Sequence, residues 1–222
     1  MALDGPSGTR RRSRRKEARP NEIVEAALSL FTERGFAATR LEDVAARAGI
    51  GKGTIYLYFP NKEELFRAVV RHRLTPNLDA IQTIIAAHTG SSAELLRRIA
   101  QHALSLIESD IVAIPKLVLA ESGNFPAIAR LYAEEVANRG MALLENVLVR
   151  GMERGEFRRL DPHSVLPLFT GPILVMALWK HSIGPHTDIA FDPRRVIETH
   201  LDVFLRGLST EPSCGLAVES SS

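Results

Sequence analysis

Apolar positions recur along most of this chain at three- and four-residue intervals, the spacing that lines one face of an α-helix. No alternating strand pattern and no internal repeat is visible, so the expected fold class is all-α. Leu41, Val44, Ala45 and Ala48 share one face. Thr39, with Glu42 three residues later, is the expected start of that helix, and Gly49 closes it where a left-handed backbone lets the chain turn sharply. The segment 52–59 has room for about two turns. Ile55 and Phe59 are its inward anchors, which leaves Lys52, Thr54, Tyr56 and Tyr58 to face outward. Asn61 with Glu64 opens the next helix, and Leu65, Val69, Leu74, Leu78, Ile81 and Ile85 extend its stripe to about residue 87.

Helix follows helix beyond that point. Ser91 or Ser92 caps a segment bearing Leu95, Ile99, His102, Ala103 and Leu106, and a shorter one covers about 111–121. After Phe125-Pro126 a helix runs to about Arg154 with Ile128, Leu131, Tyr132, Val136, Leu143, Leu144, Val147 and Leu148, ended by Gly155. Asp161-Pro162 and Asp192-Pro193 each pair a capping side chain with a proline suited to the first helical position. The stretch 165–179 is nearly all apolar, but it is 15 residues long and interrupted by Pro167, Gly171 and Pro172. A membrane span needs about 20 residues, so a buried helix is expected and no membrane partner.

Two short helices around a glycine turn, the second carrying Lys, Thr and Tyr outward, form the pattern of a DNA-reading helix-turn-helix. Lys and Thr can bond base edges, while Tyr hydroxyls and Lys serve phosphate oxygens. Lys62, a cation in a helix's first turn, opposes the helix dipole, a placement that suits a nearby phosphate.

Charge sharpens this picture. The net charge over 222 residues is only +2, yet 10–66 hold 12 Lys and Arg against 8 Asp and Glu, whereas 67–222 hold 16 against 17. Within the basic end, RRRSRRKEAR from Arg10 to Arg19 has seven basic residues and one acid, and is expected to be a flexible arm that tracks the DNA backbone or enters a minor groove. It lacks the apolar core of a signal peptide, so the expected location is cytoplasmic. Hydrophobic residues at 45% and charged residues at 24% are ordinary for a soluble globular protein.

Enzyme chemistry finds little support. The seven histidines form no metal-type motif, Glu134 and Glu135 point to different helix faces, and there is neither a Gly-rich phosphate loop nor a GxSxG elbow. No catalytic residue, metal or cofactor is expected. The one cysteine, Cys214, reads as an exposed thiol in a Ser- and Gly-bearing tail.

The ordered set Ile23, Ala26, Ala27, Leu28, Phe31, Gly35, Phe36, Thr39, Val44, Ala45, Ala48-Gly49-Ile50, Gly53-Thr54-Ile55-Tyr56, Tyr58-Phe59, Lys62-Glu63 and Leu65 resembles the amino-terminal domain of the tetracycline-repressor (TetR/AcrR) family. One departure is Gly51, at a position commonly Ser in that family. The resemblance implies a basic arm over 1–18, a DNA-binding domain over 19–66, a helical ligand-binding and dimerisation domain over 67–208 and a flexible tail over 209–222. It implies a homodimeric repressor released from a palindromic operator on double-stranded DNA by a small-molecule effector. The expected DNA contacts are Thr39, Arg40, Lys52, Gly53, Thr54, Tyr56, Tyr58 and Lys62. Candidate effector contacts are His102, Leu106, Phe125, Tyr132, Phe169, Met176 and Trp179. The two last long helices stand where the family dimerises, which offers Phe169, Leu174, Leu178, Ile197, Leu201, Phe204 and Leu205 as the interface. Packing within one subunit is the competing reading of these residues. Two other functions stay open: the same fold regulated by a protein partner or binding the chromosome structurally, and an enzyme with a basic localisation arm.

Overall fold

The computed structural model describes the backbone of residues 8–210 and the side chains of residues 20–210. Cys214 and the tail from 211 onward lie outside the described residues, as do residues 1–7. The helices in chain order are α1 (Gly8–Ala38), α2 (Leu41–Arg47), α3 (Lys52–Tyr58), α4 (Lys62–Arg73), α5 (Thr75–Ala87), α6 (Ser92–Ile107), α7 (Ala113–Glu121), α8 (Pro126–Tyr132), α9 (Asn138–Glu153), α10 (Pro162–Leu178) and α11 (Pro193–Leu208).

Several local signals act as expected. Asn61 accepts the Glu64 N–H at 2.8 Å, Ser91 accepts that of Glu94 at 3.2 Å, and Asp161 and Asp192 cap α10 and α11 ahead of their prolines. Gly49 turns the chain between α2 and α3 at φ +65°. Other segments depart from expectation. The backbone is helical from Gly8, where a flexible arm was expected, because Arg, Lys, Glu and Ala are all strong helix formers. The stripe expected to run unbroken from 62 to 87 is two helices divided at Leu74, since Pro76 cannot donate to the preceding turn. The long run from Pro126 to Glu153 contains a π-turn at Ala133–Ala137.

The chain forms two compact units, and they do not follow a single boundary near residue 66. Among the described residues, one unit joins those up to 77 with 113–137; the other joins 78–112 with those from 138 onward. The first is centred on rings: Phe31, Phe36 and Phe66 stand with centroids 5.4 to 5.8 Å apart, and Phe125 of the returning segment lies 5.2 Å from Phe36. Ile23, Ala27, Val44, Ile55 and Leu65 close this core. The second unit packs Leu95, Leu96 and Ile99 of α6 with Val147 and Leu148 of α9, Val165, Leu166 and Phe169 of α10, and Ile197, Leu201, Phe204 and Leu205 of α11. The span Pro162–His186 is long and apolar enough, at mean hydropathy 1.3, to cross a membrane by length and composition alone. Here Val165, Leu166, Phe169, Met176 and Ala177 place one of its faces in this core.

Candidate nucleic-acid interface

α3 inserts a single residue, Ile55, into its unit. Around the helix Lys52, Gly53, Tyr56 and Leu57 are exposed, and Thr54 and Tyr58 are half-buried. Gly51 precedes α3 in extended backbone, and its carbonyl accepts the Thr54 N–H at 2.8 Å. A glycine cap costs only about a few tenths of a kcal/mol relative to Ser, so the helix forms without the hydroxyl.

One carboxylate on α2 organises the outer surface of α3. The Tyr56 hydroxyl donates to Glu42 Oε1 at 2.9 Å, and Lys52 Nζ lies 3.0 Å from the same oxygen. Glu42 is held down to about 2, first by a backbone N–H bond at its own position and then by Lys52 and Tyr56. In return it pushes both Lys52 and Tyr56 above their ordinary values. Two expected DNA contacts are thus oriented by Glu42, an acidic residue that the sequence reading assigned only to the start of α2. Arg47 braces α2 on α1 with a two-pronged bond to Glu33, both N···O distances being 2.8 Å, and also donates to Ser29.

Two expected contacts take other roles. Thr39 does not cap α2 or offer its hydroxyl outward. It is 1% exposed and donates to the carbonyls of Gly35 at 2.8 Å and Leu30 at 3.2 Å, beside the point where Gly35 breaks α1 at φ +81°. The cap position belongs to exposed Arg40, whose backbone N–H donates to Asp43 Oδ2 at 3.4 Å. Lys62 turns away from its own helix terminus. Its ammonium donates to Phe36 O at 2.6 Å and Ala37 O at 3.1 Å and stands 4.4 Å over the Phe36 ring, with burial pushing its pKa down. The cation that sits awkwardly at the start of α4 closes the negative end of α1. Arg40, Lys52, Gly53 and Tyr56 are exposed and Thr54 half-buried, with Lys52 and Tyr56 brought together on Glu42, and Tyr58 leans on Phe59 with ring centroids 6.5 Å apart.

The expected effector contacts divide between the units. Phe125 and Tyr132 belong to the first, where half-buried Phe125 packs on Phe36 and burial raises the Tyr132 pKa. The remaining five lie in the second unit. Met176 and Trp179 line a cavity of about 320 Å³ with Lys180, Thr187, Ile189 and Phe191, and Trp179 meets Phe191 edge-on at 5.0 Å. Lys180 pairs with Glu108. His102 carries a buried Nε2 without a hydrogen-bond partner, Leu106 is half-buried, and Phe169 is core against Phe204, with centroids 5.6 Å apart.

The expected dimer residues are mostly turned inward. Phe169, Ile197, Leu201, Phe204 and Leu205 are at most 9% exposed in the subunit's own core, and Leu178 is half-buried; Leu174 alone is exposed, at 40%. The outward apolar residues of α10 and α11 are instead Leu168, Val175 and Val203, with Leu174. Leu168 and Val203 share a groove of about 440 Å³ with Pro167, Pro172, His200 and Gly207.

Residues 23–69, which hold the helix-turn-helix, match the model of bacterial regulatory proteins of the tetR family, and residues 94–207 match the AefR-like transcriptional repressor C-terminal domain. These matches define a DNA-binding transcriptional regulator, and this chain belongs to the TetR family. It is 26% identical over 163 residues to the fatty acid metabolism regulator protein of Bacillus subtilis, covering 71% of this chain and 82% of that one. It is 27% identical over 196 residues to the transcriptional repressor KstR2 of Mycobacterium tuberculosis, covering 87% and 94%. Among solved structures, FadR from Bacillus subtilis in complex with stearoyl-CoA shares the fold at a TM-score of 0.70 and 21% identity, over 85% of this chain and 98% of that one.

Proposed function

We propose that this protein is a homodimeric repressor that leaves a palindromic operator when a mainly apolar small molecule enters its second helical unit. The observation that carries the ligand reading is the cavity bounded by Met176, Trp179, Ile189 and Phe191, walls that suit an apolar body. The stearoyl-CoA held by one fold relative and the fatty acid regulator among the sequence relatives support a long-chain acyl group as the first chemistry to try. For release, the ligand must bind the DNA-free conformation more tightly than the DNA-bound one; equal affinity shifts nothing. The outward residues Leu168, Leu174, Val175 and Val203 form the dimer face in this reading. Pairing them across a two-fold axis covers an apolar surface, and two copies of α3 then serve operator half-sites about one DNA turn apart, roughly 34 Å.

Trp179 is the chain's single tryptophan, so its emission reports on the cavity directly. Long-chain acyl-CoAs and steroid probes titrated into the protein, alone and bound to a fluorescent operator selected from fragmented DNA, test the reading. A probe that shifts Trp179 emission and releases DNA over the same concentration range is the expected result. Release without any change at Trp179 counts against this cavity, and DNA binding that no small molecule relieves counts against ligand control.

A further inference from the structure

Leu57 is 84% exposed, the highest value among the exposed large apolar side chains of the described residues. It sits on α3, two residues after fully buried Ile55. Two residues advance about 200° around a helix, so Leu57 points away from the unit's core. Gly53, one turn earlier, shares that outer ridge, and a β-carbon there would meet nothing within 4 Å. On one side of the ridge, Lys52 and Tyr56 are drawn toward Glu42; on the other stands Thr54. The outermost line of the helix is therefore apolar and bare, with its polar groups set to either side.

We infer that Leu57 reads sequence by packing on the 5-methyl group of a thymine in the major groove. The inference rests on the DNA-binding reading of α3. In a helix-turn-helix the second helix enters the major groove, and the residue opposite its buried anchor goes deepest. The edges of the bases there present donors, acceptors and one apolar feature, the thymine methyl. A leucine that cannot bond any base edge gains only from that group. Gly53 leaves the groove floor free to approach, so contact needs no rearrangement of neighbouring side chains. Pairing with a protein surface is disfavoured by size, because the ridge offers one apolar side chain flanked by polar groups.

The test uses the full-length protein and an operator enriched from random duplexes. Each thymine of that operator is replaced singly by deoxyuridine, which removes only the methyl, and affinity is read by fluorescence anisotropy. One thymine per half-site should cost the wild type about fourfold on losing its methyl, the worth of about one buried methyl group. Leu57→Ala should bind the thymine operator about fourfold more weakly and ignore that one replacement, while keeping the wild-type response elsewhere. Leu57→Met, which restores apolar reach, should recover the sensitivity. The inference is overturned if Leu57→Ala responds to every methyl as the wild type does, or if no deoxyuridine replacement affects the wild type. Failure to enrich any DNA defeats the DNA-binding reading together with it, whereas an enriched operator with methyl responses independent of residue 57 defeats this inference alone.

Discussion

The carboxylate of Glu121, at the end of α7, accepts the backbone N–H of Phe36 at 2.9 Å across 85 residues of sequence. The same oxygen lies 3.5 Å from the Ala37 nitrogen, and a β-carbon built on Gly35 would stand 2.6 Å from it. This contact fixes the corner between α1 and α2, where Gly35 at φ +81° has left the helical ladder and freed backbone donors.

Glu121→Ala should lower unfolding stability by about 1.5 to 3 kcal/mol, the range for a hydrogen bond to a charged group, with Glu121→Gln losing less because an acceptor remains. Gly35→Ala should cost more than either, because it adds a strained positive φ to the collision with Glu121. Urea titrations of the three variants check this order. A Glu121→Ala protein as stable as wild type would show that the corner holds itself.

Lys62 separates a structural from a DNA-contacting role. With its ammonium on Phe36 O and Ala37 O, Lys62→Ala should lower stability by about 1 kcal/mol. The slope of log affinity against log salt should stay unchanged, since no phosphate charge is lost. A slope reduced by about one, with stability unaltered, would return Lys62 to the phosphate contacts.

What could be read from the sequence was what is decided within a few residues. Asn61, Asp161 and Asp192 bond amides two or three positions away, and they cap as expected. Thr39 carries the same local signature, yet its hydroxyl is claimed by the carbonyls of Leu30 and Gly35 on α1, beyond the reach of a cap motif. Lys62 finds its partners 25 and 26 residues away, and the segment 113–137 joins the first unit through Glu121 and Phe125, which no periodicity announces. Leu57 lay outside the expected contacts because apolar residues were assigned to the interior. α10 is apolar on both faces, so its pattern carried no direction, and the burial of Phe169, Ile197, Leu201, Phe204 and Leu205 fits the competing reading, packing within one subunit.

Acid should uncouple α3 from α2. Glu42 is depressed to about 2 in the folded protein against an ordinary 4.5, so the stability it contributes is complete above pH 4.5 and is lost as pH falls toward 2. The difference in melting temperature between wild type and Glu42→Gln should therefore be constant near neutrality and close between pH 4.5 and 2. A difference that persists below that window would place the effect in packing and not in the charge.

The interface assignment turns on two adjacent residues of α11, about 100° apart on the helix, that differ sharply in exposure. Val203 is 65% exposed, whereas Phe204 is 9% exposed and packs on Phe169. Val203→Asp should leave the subunit folded, place a charge in the dimer face and produce monomers that lose specific operator binding while keeping weak, salt-sensitive affinity. Phe204→Asp should instead damage the subunit itself, by roughly 3 to 5 kcal/mol for the lost ring before the buried carboxylate is counted. Sedimentation and thermal unfolding of the pair distinguish the outcomes. A dimeric Val203→Asp protein with undiminished operator affinity would move the interface away from the Leu168 and Val203 groove, and a folded monomer from Phe204→Asp would show that this ring serves the partner subunit after all.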